Sequence, residues 1–179
     1  INGSERIRKI VAALLVLGRH AGAEKVSIPI GKIVEEALSL THYRVKMHDL
    51  KIEISESLPP CYVNEQEILQ VLMNLFVNAV DAIEEKLASN SKGLILVNAS
   101  LEGQKIILRV KDNGCGIKAE TIRKIFDPFY TTKPVGKGTG LGLSISKGLV
   151  ERNGGLLNCE SEIGVGTQFS IEVPVATEE

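Results

Sequence analysis

Residues 105–117 read Lys105-Ile106-Ile107-Leu108-Arg109-Val110-Lys111-Asp112-Asn113-Gly114-Cys115-Gly116-Ile117. Ile106, Leu108 and Val110 fall at every second position, the period of a strand with one buried face, and Asp112 is the next member of that inward row. A carboxylate at the end of an apolar row is costly unless something donates a hydrogen bond to it. The exocyclic amino group of a purine is such a donor, and Gly114 and Gly116 let backbone close over a flat ligand. Asp-Asn-Gly is also ordinary turn chemistry, so a simple turn after a strand accounts for the same residues. Cys115 reads as a small apolar filler between the two glycines.

On the N-terminal side, Glu102-Gly103-Gln104 is short enough to join this strand to another at 94–101 as a hairpin. A loop at 89–93 separates that hairpin from a helical period that starts at Asn64 and runs to 87. Asn64 followed by Glu67 has the spacing of a capping box. Further back, Ile33, Val34, Ala37, Leu38 and Leu40 carry the helical period over 30–47. A short strand at 51–54 follows and is stopped before Pro59-Pro60. On the C-terminal side the spacing predicts a short helix over 118–124, an aperiodic loop over 128–140 and a helix over 141–152, which Gly154-Gly155 ends. Two strands close the chain, at 156–161 and 167–175. Helices alternate with mostly antiparallel strands and no repeated βαβ unit occurs. The fold class is α+β, one layer of helices on one face of a mixed, mostly antiparallel sheet.

Composition narrows the function. The chain has 179 residues, 44% hydrophobic and 24% charged, enough apolar material for one packed domain. Lys+Arg 21 against Asp+Glu 22 leaves a net charge of −1. No overall basic field is available for nucleic acid. Cys61, Cys115 and Cys159 lie far apart with no C-x-x-C pair, which argues against a structural zinc or a disulfide framework and for a reducing cytoplasm. Eleven of the 17 glycines fall between Gly114 and Gly166, a density that suits a ligand approached by bare backbone. The longest apolar run, 10–17, is too short to span a bilayer. Arg6, Arg8 and Lys9 before it and Ala21-Gly22-Ala23 after it imitate a signal peptide, but Arg19 and His20 interrupt the pattern. Ile7, Ile10, Val11, Leu14 and Leu15 make one helical stripe instead, read as the end of a longer helix that packs on a partner, the chain being a fragment.

Two further patterns bear on chemistry. Asn74, Asn78 and Asp81 stack along one stripe of the long helix, although asparagine is a poor helix former. A carboxamide oxygen suits Mg²⁺, which keeps several waters and adds phosphate oxygens. Glu67, Gln70 and Glu85 share that face, so a solvated stripe is the other reading. Gly136-Lys137-Gly138-Thr139-Gly140-Leu141-Gly142-Leu143 then runs straight into an apolar-periodic helix, where backbone amides can gather phosphate oxygens. It matches neither the Walker spacing nor G-x-G-x-x-G, and a flexible linker is the alternative. Lys133 and Lys137 bring positive charge beside it. Gly164-Val165-Gly166-Thr167 leads into a strand whose Phe169, Ile171 and Val173 face inward with Thr167.

Taken in order, these segments resemble the C-terminal ATP-binding domain of sensor histidine kinases, of the GHKL superfamily. Asn74-Leu75-Phe76-Val77-Asn78-Ala79 is similar to the family's N-box and 112–117 to its first glycine box. Phe126-Asp127-Pro128-Phe129-Tyr130-Thr131-Thr132-Lys133 is similar to the F-box, 138–143 to the second glycine box and 164–167 to the last. The resemblance implies a two-layer α/β sandwich of the Bergerat type binding ATP and Mg²⁺ under a mobile lid at 134–140. It implies Asn78 as the Mg²⁺ ligand, with Asn74 nearby, and Asp112 as the acceptor of the adenine amine. Gly114, Gly116 and Ile117 then lie near the base, and Thr132, Lys133, Gly138, Thr139, Gly140, Leu141, Gly142 and Leu143 border the phosphates. Thr167 joins the pocket, and Asn74, Asn78 and Lys133 form the catalytic set. Asp81 is included among the binding residues, although many members carry lysine there; this form resembles the nitrogen-regulation type.

The implied activity is transfer of the ATP γ-phosphoryl group to a histidine on a dimerisation domain, for relay to a response-regulator receiver domain. No His-Glu/Asp motif of the phospho-accepting helix occurs, so 1–20 is read as the tail of the dimerisation helix and 21–179 as the catalytic domain. The full-length protein is expected to be a homodimer, cytoplasmic in this part and membrane-anchored, if at all, by another. The competing reading is a conformational ATPase or an anti-sigma-like regulatory kinase. Relatives of those kinds carry glutamate where this chain has Asn74, and an amide cannot take the proton of an attacking water at neutral pH.

Overall fold

The structure, a computed structural model, describes residues 24–87, 92–134 and 138–177. The readings made for 1–20, for most of the 89–93 loop and for 135–137 lie outside the described residues. The elements run β1 (Val26–Ile28), α1 (Ile30–Val45), β2 (Asp49–Ile54), β3 (Cys61–Val63), α2 (Glu65–Lys86), β4 (Leu94–Glu102), β5 (Lys105–Asp112), α3 (Ala119–Ile122), α4 (Gly142–Arg152), β6 (Leu156–Glu162) and β7 (Gly166–Pro174). A five-stranded sheet has the order β2-β4-β5-β7-β6. The β2–β4 pair is parallel and the other pairs are antiparallel, so the sheet is mixed and mostly antiparallel as expected.

The inward rows build the core. Ile106, Leu108 and Val110 of β5 and Phe169, Ile171 and Val173 of β7 are buried and lie side by side in register. Ile95 and Val97 of β4 extend the same layer. Against it packs α2, whose Ile68, Leu72, Leu75, Phe76, Val80 and Ile83 recur at helical spacing and are buried. α1 lies on α2 through Ile33, Val34 and Ala37, and α4 contributes Leu149 and Val150.

Three departures have plain causes. α1 stops at Val45, where His48 N turns back onto Val45 O at 2.9 Å and Met47 is 61% exposed, with nothing to pack an extra turn. β1 and β3 form a separate two-stranded ribbon, Val26 opposite Val63; three residues each are too few for a period to register. His48-Asp49 does set an acid after a histidine, but on the turn into β2, where His48 Nδ1 accepts from Gly93 N at 3.3 Å. Among the described residues no helix is long and apolar enough to cross a membrane.

The start of α2 is built differently from a capping box. Asn64 Oδ1 accepts from Glu67 N at 3.2 Å, but Asn64 N donates to Asn153 Oδ1 at 2.7 Å. Glu67 is buried, not on a solvated stripe. Its carboxylate accepts from Asn153 Nδ2 at 2.7 Å and from Arg152 Nη2 at 2.8 Å. Asn153, 0% exposed, thus ties the beginning of α2 to the end of α4, the two helices that flank the site. Asn153→Ala strips a buried N–H and a buried carboxylate of one partner each. Urea unfolding is expected to show a loss of about 3 kcal/mol, and an unchanged midpoint would contradict the role.

Candidate functional site

A cavity of about 340 Å³ opens between α2, the end of β5, β7 and the segment that leads into α4. Along α2 it is lined by Asn74, Asn78 and Ala82, each one turn from the next, which sets a span of about 12 Å at 1.5 Å per residue. The polar line is therefore a pocket wall.

At the Ala82 level sits the end of β5. Cys115 N donates to Ala82 O at 3.0 Å, which fixes the first glycine segment against the helix. Asp112, 4% exposed, accepts from Gly114 N at 2.8 Å and from Thr167 N at 3.3 Å, both on Oδ1. No hydrogen bond among the described residues falls on Oδ2, so that oxygen is left to accept from a ligand. Burial pushes the Asp112 carboxyl above its ordinary range, against the two backbone N–H donors. Thr167 stands opposite Asp112 in register. Ser161 Oγ donates to Gly166 O at 2.9 Å and accepts from Ile117 N at 2.8 Å. Its contact with Thr167 Oγ1, also 2.9 Å, therefore uses the threonine proton and leaves that oxygen as an acceptor.

At the Asn78 level the wall is polar and charged. Asn78 Oδ1 accepts from Lys133 Nζ at 3.2 Å, and Asp81 Oδ2 accepts from the same ammonium at 2.5 Å. At the Asn74 level α4 approaches so closely that a Cβ on Gly142 would fall 2.5 Å from Asn74 Oδ1. Asn74 Nδ2 donates to Ser146 Oγ at 3.0 Å. Asn74 is thus a helix–helix tie as well as a wall residue.

Of the residues singled out from sequence, Asn74, Asn78, Asp81, Asp112, Gly116, Ile117, Thr132, Lys133, Gly138, Thr139, Gly140, Gly142, Leu143 and Thr167 all line this one cavity. Gly114 and Leu141 do not. Gly114 supports Asp112 through its N–H. Leu141 N donates to Thr139 Oγ1 at 3.3 Å and Leu141 O accepts from Ile145 N at 3.0 Å, so it starts α4. Val77, Ala82, Glu85, Cys115, Ile125, Tyr130, Thr131 and Phe169 also line it and were missed, Cys115 having been read only as a filler. Ala82 was findable one turn after Asn78, whereas Phe169 on its strand is indistinguishable from core.

Among the described residues no group of three His, Cys, Asp or Glu side chains is placed to hold a metal. The donor is the Asn78 carboxamide oxygen, which suits a hard ion that draws its remaining ligands from phosphate and water; both oxygens of the neighbouring Asp81 carboxylate are taken by Arg44 and Lys133. Lys133 Nζ on Asn78 Oδ1 shows that this oxygen already faces a cation, so the residues fit Mg²⁺.

Residues 63–177 match the family described as histidine kinase-, DNA gyrase B- and HSP90-like ATPase. The chain is 34% identical to the sensor kinase CckA of Brucella abortus, over 98% of this chain and 20% of that protein. It is 30% identical to the sensor histidine kinase ZraS of Escherichia coli K12, over 96% of this chain and 36% of that protein. It therefore spans about a fifth to a third of the length of these relatives. Among solved structures, the nucleotide-free catalytic domain of the histidine kinase ThkA superposes with a TM-score of 0.73 at 29% identity, covering 86% of this chain and 99% of that one. Full-length ShkA in complex with AMPPNP superposes with a TM-score of 0.78 at 28% identity, covering 95% of this chain and 36% of that one.

Proposed function

The chain belongs to the histidine kinase-, DNA gyrase B- and HSP90-like ATPase family, and from that premise we propose that it binds Mg–ATP and phosphorylates a histidine on a separate dimerisation domain. The phosphoryl group then passes to an aspartate of a response-regulator receiver domain. The observation that carries this reading is one cavity lined both by buried Asp112, at the end of β5 beside Ala82, and by the Asn78–Lys133 pair, Asn78 lying one turn before Ala82 on α2.

Asp112 Oδ2 accepts from the adenine amine, its orientation held by Gly114 N and Thr167 N. A guanine offers an oxygen at that position and is rejected, because two acceptors then face one another. Lys133, Thr132 and the backbone of Gly138, Thr139 and Gly140 border the phosphates. Asn78 would hold Mg²⁺, and the ion would supply neutralisation of phosphate charge. Asn74, tied to Ser146 and carrying no basic atom, does not activate water, so the γ-phosphoryl is preserved for the histidine nitrogen that attacks it. On the stripe of Ile7, Ile10, Val11, Leu14 and Leu15, residues 1–20 are assigned to the tail of the dimerisation helix and 21–179 to the catalytic domain. The full-length protein is accordingly a homodimer, with this part in the cytoplasm.

Calorimetric titration of Mg–ATP and Mg–GTP tests the pocket. Saturable heat with ATP and none with GTP is expected; a folded chain that binds neither overturns the proposal. In Asn78→Ala the tightening of ATP binding by Mg²⁺, measured against EDTA, is expected to drop about tenfold, to near nothing. A full Mg²⁺ response in that variant would remove Asn78 from the metal site. Phosphotransfer is tested by supplying a dimerisation domain and following acid-labile, alkali-stable label.

A further inference from the structure

We propose that Arg44, on α1 and outside the cavity, controls how this site takes phosphate: by neutralising Asp81 it lets Lys133 leave that carboxylate and turn its charge to the triphosphate. The inference rests on the nucleotide reading above and deepens it. Arg44 Nη2 lies 2.7 Å from Asp81 Oδ1 and 3.2 Å from Glu84 Oε2. Lys133 Nζ lies 2.5 Å from Oδ2 of the same Asp81 carboxylate and 3.2 Å from Asn78 Oδ1. One carboxylate thus holds two cations, Lys133 inside the cavity and Arg44 behind it. Burial pushes the Asp81 carboxyl up, and the bonds from Lys133 and Arg44 outweigh it, leaving it below its ordinary range. Arg44 is raised by its hydrogen bond to Asp81, against its own burial.

Charge balance explains the need for a second cation. Asp81 and Lys133 alone would make a neutral pair, and drawing Lys133 toward a triphosphate would expose a bare carboxylate to it. With Arg44 present, Asp81 keeps a counter-ion when Lys133 leaves, and the cluster of the three carries one net positive charge. Glu84 is the other charged group facing Arg44; its side chain is 54% exposed and screened by solvent. Two hydrogen bonds to separate oxygens of Asp81 make the exchange feasible, because Lys133 departs without disturbing the Arg44 bond. The cation that meets Asp81 inside the cavity is Lys133, delivered from the opposite wall. Arg44 is accordingly a positioning residue, acting on phosphate through Asp81 and Lys133. The alternative is a plain clip between α1 and α2.

Calorimetry with Mg–ATP and with adenosine separates these. Arg44→Met is expected to weaken Mg–ATP about tenfold and leave adenosine unchanged. Asp81→Asn added to Arg44→Met is expected to recover most of the ATP affinity that Arg44→Met loses, because no carboxylate remains to be exposed. Arg44→Lys, which keeps the charge, is expected to hold ATP affinity and serves as the reading should Arg44→Met not fold. A double variant as weak as Arg44→Met, ATP and adenosine weakened alike, or ATP affinity unchanged in Arg44→Met would each overturn the proposal. An unaltered chain that binds neither ligand overturns the nucleotide reading itself. Normal binding there with no effect at Arg44 overturns the role of Arg44 alone.

Discussion

Asp112→Asn is expected to weaken Mg–ATP binding about 100-fold and at the same time to raise the melting temperature of the ligand-free chain. The two effects share one cause. Asp112 is buried, and burial raises its pKa in the folded state. The folded chain then binds more protons than the unfolded one between the ordinary carboxyl value near 3.8 and the raised folded value, so stability falls as pH rises through that window. Above it the ionised side chain remains a net cost. An asparagine keeps an oxygen for Gly114 N and Thr167 N and removes the charge, so ligand-free stability increases and its pH dependence flattens across the window. Toward ATP the change is unfavourable twice over. A charge-assisted acceptor is lost, and the new amide N–H₂ meets the adenine amine donor to donor, together about 3 kcal/mol. Calorimetry and thermal scans at several pH values check both halves. Unimpaired ATP binding by the variant would mean that Asp112 does not read the base.

Gly116→Ala is expected to lower stability by about 3 kcal/mol and to abolish nucleotide binding. Gly116 has φ +72°, left-handed backbone that alanine adopts only with strain. A Cβ there would also run into the carbonyl oxygen of Glu162, a backbone atom with no rotamer to move aside. The β6–β7 turn must then shift, and with it Gly164 N, which donates to Cys115 O at 2.8 Å. The base-binding segment loses its support from that side. Urea denaturation and ATP titration check the result; native stability in the variant would show that the turn yields without cost.

Much of this was legible in local periodicity. The inward row of β5 and its continuation into Asp112 need only the two-residue repeat of a strand. The stripe Asn74, Asn78 and Asp81 needs only the helical repeat. Five short segments, each weak alone, pointed to one cavity, and fourteen of the residues named from the sequence, thirteen of them in these segments, line it. Reading failed where the period was too short to register, in β1 and β3, and where a polar residue on the expected outer face was buried. Glu67 is the example: nothing near it in sequence reveals that Asn153 and Arg152, more than 80 positions away, would cover its carboxylate.

The type of the longer elements, the inward rows of β5 and β7 and the spacing of the polar wall were settled by the sequence itself, because they depend on neighbours a few residues apart. Which groups share a charge was settled only by the tertiary structure. Arg44 is 37 positions from Asp81, and Lys133 is 52 positions from it on the other side. Their meeting depends on how α1 and the segment before α4 pack against α2, a matter of long-range contacts whose energies no local pattern encodes.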